Sequence, residues 1–236
     1  MMLTLQDLLR TRTAQPPLNK AWYLDGSKNM YIVVNDSPTI NPSNEITIEL
    51  WTYSVQNMFG GGIWTCLRKA TNQYLVEPGD IGTNYWALYL DQCARVDTSS
   101  PVPIKQWHHI VGRFSVYRGV MQILVDGSVS GSKTCTAPIP YQPGPLYIGK
   151  SFSEIYIGYV SLVRIYSRFL VDSEVRHNML NPNDPIRDGL VLWLDARACD
   201  TSKNICYDLS GNNNHGTMYN VQIVSLPNQV VVGGRM

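Results

Sequence analysis

Apolar and polar residues alternate with a period of two over much of this chain. Residues 45–53, EITIELWTY, put Ile46, Ile48 and Leu50 on one face and Glu45, Thr47 and Glu49 on the other. That period is the mark of a β-strand with one face on a core. Residues 109–116 set Ile110, Gly112 and Phe114 against His109 and Arg113, and residues 120–125 alternate again. Asp126-Gly127 follows directly. An Asp-Gly pair suits a two-residue type I′ turn, which needs positive φ at both positions, so this stretch predicts a hairpin. Residues 21–24, 31–34, 63–68, 85–90, 146–149, 158–166, 189–195 and 221–232 read as further strands. Gly-, Pro- and Asn-rich turns separate them. Residues 171–180 predict the one helix of the body, with Asp172 in its first turn and Val175 and Met179 one turn apart. Asn181 to Pro185 stops it. An amphipathic run at 1–12 predicts a short N-terminal helix, broken at Gln15-Pro16-Pro17. The pattern is all-β: an antiparallel sandwich or jelly roll with two short helices.

Composition adds exclusions. Nineteen Lys and Arg against 18 Asp and Glu give a net charge of +1, so no basic excess points to nucleic acid. With 14 Tyr, 18 Gly and 14 Pro but 16% charged residues, the balance suits a turn-rich β protein. No run of about 18 apolar residues predicts membrane insertion, and the N-terminal run lacks the apolar core of a secretory signal. Five cysteines form no C-x-x-C pair. Cys199 and Cys206 bracket the polar hexapeptide DTSKNI and are the disulfide candidate, given an oxidising compartment. Cys66, Cys93 and Cys135 read as small buried side chains, at least one of them a free thiol.

Five ordered stretches resemble a known family: AWYLDGSKNMYIVVNDSP, ITIELW, WHHIVGRF, MQILVDGSVSGS and LYIGK…GYVSLVRIYSRFLVDSEV. Together they resemble the laminin G-like, concanavalin A-like jelly rolls, in the branch that also resembles pentraxins. The resemblance implies an arm at 1–20, a jelly roll at 21–180, a linker at 181–187 and a β segment at 188–236. That last segment, DGLVLWLDARACDTSKNICYDLSGNNNHGTMYN…VVVGGRM, is similar to what normally precedes the first Asp-Gly of the family. It either completes its own sandwich, as a circular permutation, or completes a neighbouring subunit. The first is the expectation, because swapping is the less common arrangement. Where the family carries an acidic pair, this chain has Ser161 and Leu162; its acid-rich turn is Lys28-Asn29-Met30 here. Asp25, Asn35 and Asp36 remain as the candidate ligands of a calcium ion. Local turn chemistry is the competing role for all three.

Catalytic patterns are missing. Family 16 glycoside hydrolases, which share this type of fold, carry Glu-x-Asp-x-x-Glu on one strand; no such triplet occurs here. Glu45 and Glu49 share a face that the alternation predicts to be solvated. No Gly-x-Ser-x-Gly elbow, phosphate loop or His-Glu-x-x-His occurs. His108 and His109 point to opposite faces of one strand and read as structural. Trp51, Trp64, Trp107 and Trp193 read as core. For sugar recognition the candidates are Asn84, Tyr85 and Trp86 at a loop-to-strand junction, with Tyr74 and Tyr141 in loops. A core position is the alternative for Trp86. The expected function is a non-catalytic structural or adhesion protein of a virion or extracellular surface, self-associating or joining other subunits. Its C-terminal pattern resembles phage and archaeal-virus structural proteins. The alternatives are a calcium-aided lectin for cell-surface glycans and an unusual glycoside hydrolase.

Overall fold

The computed structural model describes residues 18–27, 29–58, 65–79, 83–150 and 156–226. The expected N-terminal helix, Lys28, Trp64 and the final VVVGGRM lie outside the described residues. Two antiparallel sheets stack into the expected sandwich. The first sheet runs β10 (Ser128–Thr134), β9 (Val120–Val125), β8 (Trp107–Ser115), β3 (Glu45–Ser54), β12 (Ile157–Tyr166), β1 (Lys20–Asp25), β17 (Gln222–Ser225). A further strand, β13 (Leu190–Asp195), lies beyond β1 on the same flank of β12: β1 pairs Ile157 to Val160 and β13 pairs Leu162 to Tyr166. The second sheet runs β14 (Cys199–Asp200), β15 (Ile205–Cys206), β16 (Gly216–Tyr219), β2 (Tyr31–Val34), β11 (Leu146–Ile148), β4 (Leu67–Lys69), β5 (Tyr74–Pro78), β6 (Trp86–Leu90), β7 (Ala94–Asp97).

One core fills the space between the sheets. Ile46, Ile48, Leu50, Ile110 and Phe114 face it from the first sheet; Ile32, Val34, Val76, Leu88 and Ile148 face it from the second. The Asp126-Gly127 turn has φ of 49° and 76°, the two positive values that a type I′ hairpin requires. At Gly131 a Cβ would collide with the Asp97 carbonyl oxygen. Only glycine lets β10 approach β7 so closely, and this contact closes one side of the sandwich.

Helix α1 (Asp172–Leu180) lies across the outer face of the first sheet. Its Glu174 carboxylate caps the Val171 N–H at 2.9 Å. Because α1 and the chain after it cover that face, β3 and β8 are buried on both sides. This corrects the solvated face expected for Glu45 and Glu49. Glu49 is 0% exposed, and Glu45 accepts hydrogen bonds from Ser115 Oγ and the Phe169 N–H. Trp51, Trp107 and Trp193 are buried on the same outer face.

The C-terminal segment pairs within the chain at three places. β13 pairs with β12, β16 with β2, and β17 with β1. Its Asn- and Ser-rich loop is organised by Asp208. That carboxylate accepts from the N–H groups of Trp193, Ser210 and Asn214. Asn214 in turn bonds Thr39 Oγ1 and Ser37 Oγ. Cys199 and Cys206 are disulfide-bonded, as are Cys93 and Cys135, while Cys66 is a buried free thiol. The Cys93–Cys135 bond has no local sequence signal, because its partners lie 42 residues apart.

Candidate functional site

The outer face of the second sheet carries the side chains left over when the alternate ones enter the core. On β2, Ile32 and Val34 point inward, so Tyr31 points out. On β16, Gly216 and Met218 are buried and Thr217 and Tyr219 are exposed. Tyr219 and Tyr31 are opposite each other in register. Their rings stack at 4.7 Å and 17°. The Tyr147 ring from β11 meets Tyr31 edge-on at 5.8 Å. On the β11 side, the Lys150 ammonium lies 4.0 Å from the Tyr31 ring centre. Tyr219 is 44% exposed, and Tyr31, Tyr147 and Lys150 are half-buried. At the same end, the Asn220 side-chain amide donates to the Asn29 carbonyl at 3.0 Å. Partial burial, and then the neighbouring Tyr219 and Tyr147, push the Tyr31 hydroxyl's pKa up. The group therefore stays a neutral donor and acceptor. Three rings, an ammonium and one side-chain amide form a platform that can stack an apolar sugar face and bond its hydroxyls.

Further along this sheet, Glu77, Arg95 and Asp97 also project outward from β5 and β7. Arg95 bonds Asp97 at 2.6 Å and lies 3.9 Å from Glu77, so one guanidinium joins two carboxylates.

The residues singled out from sequence scatter. Tyr74 is a β5 strand residue, fully buried, its hydroxyl donating to the Ile40 carbonyl at 2.9 Å. Trp86 is 2% exposed and packs near Tyr156 in the core. Neither ring offers a face to a ligand, which corrects both candidates. Asn84 is buried at φ 61° and serves the fold. Its Oδ1 accepts from the Met58 N–H and its Nδ2 donates to Asn57. Tyr85 is half-buried beside it. Tyr141 alone is well exposed, at 64%. Its hydroxyl donates to Asp36 at 3.0 Å, which joins one glycan candidate to one metal candidate.

Asp36 is saturated by protein donors. Lys69 Nζ and Asn41 Nδ2 each bond Oδ1 at 2.8 Å, while Tyr141 and the Gly144 N–H reach Oδ2. Burial raises its pKa, but the hydrogen bonds from Lys69, Asn41 and Tyr141 outweigh it and hold the carboxyl well below the usual range. Asp25 sits before the β1–β2 turn, where it accepts from the Ser27 N–H, and β2 separates it from Asn35 and Asp36. Three acids or amides at opposite ends of a strand do not converge on one ion. Among the described residues no group of three His, Cys, Asp or Glu is placed to hold a metal.

A polar cluster that the alternation did not reveal lies beneath α1. Glu49 accepts both Oε contacts from Asn178 Nδ2, at 3.0 and 3.1 Å, and lies 3.5 Å from Arg164. Arg164 also donates to the Pro182 carbonyl and packs on the Trp193 ring. Asn178 Oδ1 takes the Ile186 N–H. The cluster therefore ties helix and following linker to the sheet. Burial raises the Glu49 pKa against the opposing pull of Arg164. His109 packs on Trp51, and burial pushes its pKa down to about 3, so it is neutral. His108 bridges Asp126 and the Pro103 carbonyl, His177 reaches the Asp184 carbonyl, and His215 accepts from the Asp208 N–H.

The fold is a concanavalin A-like sandwich. The chain is a member of the concanavalin A-like lectin/glucanases superfamily, whose laminin G-type family model matches residues 25–176. No curated protein matches it. A Bacteroides ovatus protein provisionally described as carbohydrate-binding superposes with a TM-score of 0.72 at 17% identity, over 89% of this chain and 60% of that one. This chain thus spans about three fifths of that protein's length. A heptameric pentraxin from Limulus polyphemus gives 0.53 at 16% identity, over 70% and 84%. Domain 4 of an extracellular GH43 arabinanase from Geobacillus stearothermophilus, solved with arabinotriose, gives 0.51 at 18% identity, over 66% and 74%. At such identities the likeness establishes the fold.

Proposed function

We propose that this chain is a non-catalytic glycan-binding module of a virion or extracellular surface protein. The carrying observation is the Tyr31–Tyr147–Tyr219 platform on the open face of the second sheet. Helix α1 packs on the outer face of the first sheet, whereas the tyrosine rings lie together on the outer face of the second. The platform's polar groups are hydroxyls, one amide and an ammonium, a set suited to holding a sugar rather than to acid–base cleavage of a glycosidic bond. The carboxylates of Glu77 and Asp97 are joined by Arg95 at the far end of the sheet. Two disulfides accord with an oxidising exterior. Binding on this reading needs no calcium, because the oxygens of Asp36 already have protein partners.

A glycan array read with calcium and with a chelator tests the proposal. Retention of a glycan subset under both conditions is expected. Tyr219→Ala is expected to weaken it about tenfold, the loss of roughly one ring contact. A blank array, or retention that Tyr219→Ala and Tyr31→Ala leave unchanged, overturns it.

A further inference from the structure

We infer that the platform's ligand is an anionic oligosaccharide and that Lys150 recognises its carboxylate or sulfate. The inference rests on the glycan-binding reading and adds the charge of the ligand. Lys150, two residues beyond β11, reaches Tyr31 from that side, whereas Tyr219 stacks on Tyr31 from the β16 side. A ligand lying along this row meets an exposed ring at one end and an ammonium at the other. Most other cations near a carboxylate in this protein are spent on it. Lys69 pairs with Asp36, Arg113 with Asp172, Arg168 with Glu174, and Arg197 with Asp195. Lys150 forms no ion pair among the described residues, and its contact is the Tyr31 ring. The ring holds the ammonium in place without neutralising it, since a cation–π contact leaves the N–H donors directed elsewhere. A half-buried, positioned charge with no ion pair among the described residues, lying beside stacking rings, favours a ligand of opposite sign. Uronates, sialic acids and sulfated sugars share that chemistry.

The test compares neutral, carboxylated and sulfated oligosaccharides of matched length with the full chain, at low and high salt. Acidic ligands should bind at least tenfold more tightly than neutral ones and weaken as salt rises. Lys150→Met, which keeps the apolar stem, should abolish that preference, and Lys150→Arg should retain it. The carboxylated and sulfated arms say which anion is meant. Equal binding of neutral and acidic ligands, or an acidic preference that survives Lys150→Met, overturns the inference and leaves glycan binding standing. No binding of any class overturns both.

Discussion

Glu49 shows how far a single residue can depart from its strand's pattern. Alternation assigns it to a wet face, yet it lies fully buried with Arg164 and Asn178. Removing one member of a buried pair strands the other charge, a loss of about 3–5 kcal/mol. Arg164→Met should therefore lower unfolding stability by that order in urea titrations at pH 7. Losing Arg164 raises the Glu49 pKa further. A carboxyl whose folded pKa is raised contributes stability below its unfolded pKa that is lost as pH rises through the folded value. The deficit of Arg164→Met should thus shrink from pH 7 towards pH 5. His109 has the opposite sign. Its folded pKa is depressed to about 3, so its contribution is complete above the unfolded value near 6.5 and lost as pH falls. Stability measured at pH 7, 6 and 5 should fall less steeply for His109→Leu than for the parent, by about one proton, or roughly 1.4 kcal/mol per pH unit. An unchanged slope would count against a neutral buried imidazole. Side-chain identity foretold neither environment, because burial was conferred by a helix more than 60 residues away in sequence.

At the scale of elements, local chemistry was a good guide wherever the cause was local. The β9–β10 turn follows from Asp126-Gly127, and α1 follows from its spacing and first-turn acids. The strands β5 and β7 are five and four residues long, too short for a period-two pattern to stand out in the sequence. The Tyr74 ring belongs to β5 and not to a loop. The disulfides divide in the same way. Cys199–Cys206 closes a hairpin visible in the sequence, while Cys93–Cys135 joins the β6–β7 turn of one sheet to the end of β10 in the other. Closing the longer loop restricts the unfolded chain more. Replacing Cys93 and Cys135 by Ala should cost about 4 kcal/mol, and replacing Cys199 and Cys206 about 2.5 kcal/mol, in non-reducing denaturation. The reverse order would show that native-state effects outweigh chain entropy at these bonds.

For the whole molecule, the decisive feature is where residues 190–225 lie. They add strands to both sheets, and the Asp208 and Asn214 bonds lock their loop against β13 and the 37–39 turn. We propose that this segment closes the sandwich of its own chain. Light scattering should then report a monomer over a wide concentration range, and a chain ending at residue 187 should lose cooperative unfolding. A stable dimer that exchanges this segment would favour closure between subunits instead.

Sequence alone determined the all-β class, the hairpins, the body helix and the family, because period-two patterning and turn residues act over a few neighbours. It also placed Tyr141 in an exposed loop and Cys199 beside Cys206. Only the tertiary structure decided which face stayed open. Tyr31, Tyr147 and Tyr219 come from three strands far apart in the chain, and nothing local marks them as one platform. Trp86 and Tyr74 went to the core because large rings fill the space between two sheets, and whether a ring fills that space or faces water depends on what packs against it.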